Sequence, residues 1–346
     1  MLPKIKGANS SPQACEDTSH NICLTTTPIT YLSNTKHRSK FTHKSVMATS
    51  EIPQKQKAVV YDQPGTVSTK VVELDVPEPG AGEVLINLFV EPCQAGAEGL
   101  CVNQKVSGYY TPGTFQQYVL GPAHYVTPIP DGLESDAAAP MLCAGLTVYA
   151  ALKRSNARPG QWVVISGAGG GLGHIAVQLA SKGMGLRVIG VDHGSKEELV
   201  KESGAEHFID LTKFPMDDNG KAISDHVKSL AGGLGAHAVI VCTSSNAAYA
   251  QSVQFLRFNG TMVCVGLPEN NPQPIASALP VTLIGKHCYI TGSAVGNRRE
   301  AIEVLDFAAR GIVKTHFRTE KMDKLTDVFE EMRESKLQGR VVLDLS

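Results

Sequence analysis

Apolar positions follow two different patterns along this chain, and the change between them falls near residue 137. In the first part, short apolar runs are broken by Pro and Gly, which predicts short β-strands joined by turns. We expect these strands at 58–61, 70–75, 83–88, 115–119 and 125–129. Between about Phe89 and Gly113 the pattern gives way to a Gly- and Cys-containing stretch, so this β-domain is predicted to have few strands.

In the second part, helical periodicity alternates with short apolar runs. Strands are predicted at 161–166, 187–191, 207–209, 238–241 and 261–265, and helices at 138–152, 174–184, 196–203, 223–230 and 247–256. Strands that alternate with helices indicate βαβ units and a doubly wound parallel sheet, so the fold class is α/β. Helices cover both faces of such a sheet, which accounts for the unbroken apolar runs 163–165 and 238–241.

Residues 1–46 have a different composition, rich in Ser and Thr, and show no periodicity. We interpret them as a disordered extension or leader. A mitochondrial transit peptide should be Arg-rich and poor in acids, whereas this segment has one Arg together with Glu16 and Asp17. A start at Met47 stays open, because the fold-like pattern begins just after it.

Charge and cysteine usage limit the partners. Lys and Arg total 32 against 33 Asp and Glu, so the net charge of -1 gives no basis for binding nucleic acid or an anionic membrane. No apolar run reaches the length of a membrane span. The eight cysteines are scattered, which favours a reducing compartment. We expect a cytoplasmic protein with a small-molecule substrate, with mitochondria kept open by the extension.

A run of glycines, GAGGGLG at 167–173, lies between a predicted strand and a predicted helix. Backbone must approach a pyrophosphate closely at such a turn, which excludes side chains. The helix that follows offers free N–H groups and the positive end of its dipole to the phosphates. A plain tight turn is the alternative, and His174 is expected to be an ordinary first-turn residue. The candidate phosphate-binding residues are Gly167, Gly169, Gly170, Gly171, Leu172 and Gly173.

Asp192 ends the next predicted strand, nineteen positions after Gly173. A carboxylate there can accept hydrogen bonds from the adenosine ribose and repel a 2'-phosphate. The alternative is a solvated strand end. With strand, turn, helix and acid in register, the sequence predicts a site for NAD rather than NADP.

Five segments then resemble the zinc-dependent, medium-chain alcohol dehydrogenases, especially those of fungi and yeast. They are ISGAGGGLG at 165–173, PMLCAGLTVY at 140–149, VGLP at 265–268, GSAVGNR at 292–298 and QGRVVLD at 338–344. The resemblance implies a Rossmann-type NAD-binding domain at 141–296. It also implies a truncated GroES-like catalytic β-barrel domain at 47–140 and 297–346.

The resemblance further implies cofactor contacts. Val265, Ser293 and Val295 would line the nicotinamide, Lys196 would lie near the adenosine ribose, and Arg340 would reach the pyrophosphate. The alternatives are core strand residues and a solvated Arg. Enzymes of this family move hydride between NAD and a primary or short secondary alcohol or its aldehyde.

Family members hold a catalytic zinc, which acts as a Lewis acid on the alcohol oxygen, with Cys, His and Cys ligands. Cys143 matches the last ligand. The Cys-His pair and the Gly-His-Glu stretch that should supply the other two are absent, since the sequence passes almost directly from Leu88 to Pro92. Without partners, Cys143 would by default be a buried thiol in an apolar site.

The family's second zinc is structural and has four cysteine ligands. Cys93 and Cys101 match the last two of them, and the first two are missing with the same block. Two thiolates do not close a tetrahedral site. Cys15 and Cys23 repeat this spacing in the extension, but that segment shows no other sign of order.

Removing strands from a β-barrel exposes unpaired edges, so we expect instability. We interpret the chain as an incomplete form of a functional dehydrogenase, produced by an alternative transcript or a misassigned exon. One alternative is a zinc-free quinone or enoyl reductase, against which Asp192 argues because those relatives mostly prefer NADPH. Another is a non-catalytic NAD-binding subunit. The strand at 288–293 resembles the family's subunit-pairing edge, which favours a homo-oligomer, a dimer or tetramer.

Overall fold

The computed structural model describes residues 53–63, 67–79, 83–87, 105–122, 126–215, 219–268, 271–334 and 336–345. The extension 1–46 and the cysteines at 93 and 101 lie outside these ranges. Four short strands come first: β1 (Lys55–Tyr61), β2 (Thr69–Asp75), β3 (Glu83–Asn87) and β4 (Tyr118–Pro122). They form two antiparallel pairs, β1 with β2 and β3 with β4, and Ala58 of β1 also forms a bridge with Gln116, just before β4.

The next six strands form one parallel sheet in the order β10-β9-β8-β5-β6-β7. They are β5 (Trp162–Ser166), β6 (Arg187–Asp192), β7 (His207–Asp210), β8 (Ala236–Val241), β9 (Leu256–Cys264) and β10 (Tyr289–Gly292). The strand order reverses at β5, which is the topological switch point of a doubly wound sheet. This confirms the predicted α/β fold class with a parallel sheet.

Helices connect these strands and continue into the C-terminal part. They are α1 (Ser135–Pro140), α2 (Leu146–Arg154), α3 (Gly173–Gln178), α4 (Glu197–Ser203), α5 (Lys221–Leu230), α6 (Asn246–Phe255), α7 (Pro280–Lys286), α8 (Arg298–Ala309) and α9 (Leu325–Arg333). A π-helical turn at Met141–Gly145 joins α1 to α2. The resulting helix Ser135–Arg154 has the length and hydropathy of a membrane span, but 61% of its apolar window is buried, as in the core helix of a folded domain.

Two hydrophobic layers cover the two faces of the sheet. One face, which includes Ile165 and Ile240, packs against α1, α2, α3 and α8, and all its central side chains are fully buried. The other face, which includes Val164 and Val239, packs against α5 and α6. Alternate residues of each strand point to opposite faces, so both faces must be apolar. The sheet is therefore held from both sides.

The two-stranded pairs are much less covered. Strand β2 contains no buried residue, and Val71 and Leu74 are exposed. Pairs of strands gain little stability by themselves, because they bury few side chains. The expected instability of this β-domain stays a prediction.

The C-terminal part contacts the N-terminal strands. Strands β11 (Phe317–Lys321) and β12 (Arg340–Asp344) pair in parallel. Gln117 donates to the carbonyl of Leu345 at 2.7 Å, and the amide of Thr69 donates to Thr326 Oγ1 at 3.2 Å. These contacts link segments that the predicted domain division assigns to one catalytic domain.

The prediction of a strand at 125–129 was wrong for residues 126–129, which the structure describes, because their backbone is irregular. The segment is apolar, but Pro128 and Pro130 interrupt it. Proline has no N–H to donate to a β-ladder, so the apolar pattern alone gave a false strand.

Candidate functional site

The glycine turn follows β5 and leads into α3. Gly167 has φ +79°, a left-handed conformation that other L-residues rarely adopt. A Cβ on Gly173 would overlap the Gly167 carbonyl oxygen and lie 2.7 Å from Ala168 Cα. A Cβ on Gly171 would lie 2.7 Å from the Gly339 carbonyl oxygen. Backbone packs on backbone here, so the glycines are structurally required.

Asp192 lies at the carboxyl end of β6, beside this turn, and is 8% exposed. Its carboxylate accepts from the Gly169 amide at 2.8 Å and from the His193 amide at 2.7 Å. Lys196 Nζ lies 3.9 Å from the same carboxylate, and a Cβ on Gly169 would lie 2.6 Å from Lys196 Cβ. The structure thus brings three of the predicted cofactor residues together.

Arg340, at the start of β12, reaches the turn from the C-terminal segment. Its Nε donates to the Gly171 carbonyl at 3.1 Å. The Arg340 amide donates in turn to the His316 carbonyl at 2.9 Å. The guanidinium predicted to reach a pyrophosphate therefore lies at the glycine turn.

His174 has a larger role than the sequence indicated. Its side chain is fully buried, its Nδ1 lies 2.8 Å from the Gly170 carbonyl, and its Nε2 accepts from the His316 amide at 3.1 Å. These partners fix the tautomer with the proton on Nδ1. Burial lowers the pKa of His174 to about 4, although the bond to Gly170 opposes the shift. A neutral imidazole therefore links the glycine turn to a segment 142 residues away.

The three residues predicted near the nicotinamide follow the carboxyl ends of β9 and β10. The Val265 amide donates to the Val241 carbonyl at 3.2 Å, and the Ser293 amide donates to the Cys264 carbonyl at 3.0 Å. Ser293 Oγ also accepts from Arg154 at 3.1 Å. Val295 has φ +46°, a strained conformation for a β-branched residue. Ligands of doubly wound sheets bind outside the carboxyl ends of the strands, where these residues lie.

Cys143 lies in the π-helical turn between α1 and α2 and is exposed. The default expectation of a buried thiol was therefore wrong. The four other residues of the turn are buried, so the helix turns this one side chain outward. In the described part of the chain, no three His, Cys, Asp or Glu residues are grouped as metal ligands.

The sheet order and the glycine turn define a Rossmann-type α/β protein. Residues 171–310 match the family model for zinc-binding dehydrogenases. Alcohol dehydrogenase 2 of Emericella nidulans is 63% identical over 367 positions, which cover 87% of this chain and 100% of the relative. The chain belongs to the alcohol dehydrogenases of the zinc-binding dehydrogenase family.

The same alignment leaves part of the relative without a counterpart in this chain. Since 87% of 346 residues is about 301, about 66 of the 367 aligned positions have no residue of this chain. The relative therefore has a substantial amount of sequence without a counterpart here.

Solved structures show the same fold. An alcohol dehydrogenase from Aeropyrum pernix superposes with a TM-score of 0.70 at 22% identity, covering 83% of this chain and 99% of that one. An acetophenone reductase from Geotrichum candidum, in complex with NAD, gives 0.68 at 21% identity, covering 85% and 98%.

The buried His174 predicts acid sensitivity. Its pKa is about 4 in the folded state and 6.5 ordinarily, so the unfolded chain takes up a proton first as pH falls. Stability that is present above pH 6.5 is then lost between 6.5 and about 4, by at most about 1.4 kcal/mol per pH unit. Urea unfolding across this range should show a flatter pH dependence for His174→Gln, because the amide can keep both hydrogen bonds but does not titrate. Identical slopes for the two proteins would contradict this role.

Proposed function

We propose that this chain binds NAD at the glycine turn and derives from an enzyme that transfers hydride between NAD and a primary or short secondary alcohol. One observation carries the proposal: Asp192 lies beside a turn whose Gly171 and Gly173 have no room for a side chain. The alcohol dehydrogenase relatives that cover most of the chain support the reaction class.

The residues present fit a dinucleotide. The N–H groups at the start of a helix favour phosphate oxygens, and those of α3 follow directly on the glycine turn, where the His174 amide donates to the Gly170 carbonyl at 3.2 Å. Arg340 adds a fixed positive charge beside them, and the Asp192 carboxylate favours a free ribose over a 2'-phosphate. NAD would supply the hydride acceptor. The protein would hold its two phosphates and position the nicotinamide near Val265, Ser293 and Val295.

The residues present do not fit the catalytic zinc of the family. Such a site needs three protein ligands and an open position. Cys143 supplies a suitable exposed thiol, but no group of three donors surrounds it in the described ranges. The sequence also lacks the Cys-His and Gly-His-Glu segments, and the part of the relative without a counterpart here supports their deletion from a truncated GroES-like domain. We therefore derive no metal-dependent step for this chain.

The same observations favour a second candidate function, a non-catalytic NAD-binding subunit. The glycine turn, Asp192 and Arg340, which would hold the nucleotide, are all present, whereas the described strands up to residue 122 form two short pairs joined by a bridge between Ala58 and Gln116. A zinc-free reductase is less well supported, because Asp192 disfavours NADPH.

Asp192→Asn tests the NAD site. Asparagine keeps an oxygen for the Gly169 amide but loses the charge, so we expect NADH to bind about tenfold to a hundredfold more weakly. The ratio of the dissociation constants of NADPH and NADH should also fall, because the carboxylate no longer repels the 2'-phosphate. Titration of NADH fluorescence measures both effects. The control is Asp225→Asn on the exposed face of α5, and equal affinities for all three proteins would refute the assignment.

Zinc content and turnover test whether this chain can hold the catalytic zinc of the family. The purified chain should contain far less than one zinc per chain and produce no NADH from ethanol above background, while it still binds NADH. The matched control is the Emericella nidulans relative, prepared and assayed in the same way. Stoichiometric zinc with ethanol-dependent NADH formation would show that other residues replace the missing ligands.

We also propose that two copies associate through the edge of the sheet. Strand β10 pairs only with β9 among the described strands, so its outer edge is open. Helix α7, which precedes it, exposes Val281 and Ile284 by 74% and 71%, and Tyr289 is 62% exposed. An open edge beside an apolar patch favours self-association.

Substituting the exposed apolar residues Val281 and Ile284 of α7 should dissociate the oligomer. Val281→Lys with Ile284→Lys adds two charges that a second copy cannot bury, so sedimentation should show a monomer where the parent chain is a dimer or tetramer. Ile302→Lys, at an exposed position of α8, controls for added charge. A parent chain that sediments as a monomer, or a double variant with the parent's mass, would exclude this interface.

A further inference from the structure

A cavity lies away from the glycine turn. Its volume is about 630 Å³, and it lies where α2 ends, against the amino-terminal ends of β5 and β8 and against β9 and β10. Gln161, which precedes β5, lines it, whereas the glycine turn follows the other end of that strand. The two sites are therefore at opposite ends of β5.

Three arginines line this cavity: Arg154, Arg158 and Arg257. No Asp or Glu lines it, and in the described part of the chain none of the three forms a salt bridge. Arg154 donates to Ser293 Oγ, and Arg257 lies over the Phe258 ring at 4.5 Å. Arginines in a concave site usually pair with carboxylate or phosphate oxygens. The cavity thus has positive charge without a compensating acid.

The hydrogen bonds of His237 indicate independently that the cavity lacks an acceptor. Its Nδ1 accepts from the Trp162 amide at 3.2 Å, and its Nε2 lies 2.9 Å from Arg257 Nη1. A neutral imidazole accepts at one nitrogen only, and arginine can only donate. With Nδ1 accepting from the backbone, the proton must be on Nε2, where it faces another donor. Burial and Arg257 lower the pKa of His237, so a second proton is disfavoured as well.

A negatively charged oxygen atom of a ligand would give both facing donors, His237 Nε2–H and Arg257, an acceptor. Bound in the cavity beside this pair, within hydrogen-bond distance of His237 Nε2 and of the Arg257 guanidinium, it would accept from both, and it would neutralise charge that the cavity leaves unpaired. The backbone of β9 sets this geometry: Asn259 has φ +56°, and the adjacent register shift with β8 turns Arg257 and Phe258 toward the cavity.

We propose that this cavity binds a small organic anion with two or more negatively charged groups, a phosphate ester or a polycarboxylate. Its volume lies within the range of ligand pockets, roughly 300–1,000 Å³. Arg257 and His237 bind one charged group, and Arg154 and Arg158 bind the other. The exposed ring of Phe258 borders the opening and would contact an apolar part of the ligand.

Calorimetric titration of the purified chain with pyrophosphate and with citrate, at constant ionic strength, tests this site. Arg158→Gln is the first variant, because this side chain is exposed and its loss should not affect folding. Arg257→Gln is the second. Each should weaken binding about tenfold, the effect of one lost charge-assisted hydrogen bond.

Two controls locate the anion. Arg310→Gln removes an exposed arginine just after α8, and saturating NADH fills the glycine turn, where the phosphates of NAD are proposed to bind. Neither should change the affinity by more than about twofold. Unchanged affinity in Arg158→Gln and Arg257→Gln would overturn the proposal, as would loss of all binding in saturating NADH, which would place the anion at the glycine turn. Absence of saturable binding of both probes to the parent chain would overturn it too.

Discussion

The contact between Gly173 and the Gly167 carbonyl sets the position of the groups around the glycine turn. It holds the start of α3 against the end of β5, so close that no Cβ fits between them. The turn's other groups then have fixed partners: the amides of Gly167 and Ala168 donate to Val191 of β6, and the Gly169 amide donates to Asp192. A looser turn would separate the carboxylate, the helix start and the arginine that together suit a dinucleotide.

This turn is also supported from outside the sheet. Arg340 and His316 belong to the C-terminal segment, yet their contacts end on Gly171 and, through the buried His174, on Gly170. The segment that the sequence predicts to belong to the catalytic domain therefore stabilises the glycine turn directly. Strands β11 and β12 pair with each other and with no other described strand, so this support does not depend on strand pairing with β1 to β4.

The sequence predicted the features that depend on local pattern. Glycines between an apolar strand and a helix, and Asp192 at the end of the next strand, are signals within a few dozen residues, and the parallel sheet has the alternation they indicated. It did not predict the burial of His174, which depends on a partner 142 residues away, or the outward direction of Cys143, which depends on a π-helical turn. It gave no sign of the arginine cavity either, because Arg154, His237 and Arg257 come from three separate elements.

Arg154 connects that cavity with the carboxyl edge of the sheet. Its guanidinium lines the cavity and also donates to Ser293, whose backbone continues to the strained Val295. A guanidinium has five donors in a fixed plane, so Arg154 can keep Ser293 as a partner while another edge binds an anion. An anion that instead drew Arg154 fully into the cavity would break this bond and leave the Ser293 hydroxyl free. Ser293 is 8% exposed, so its hydroxyl would then need another partner.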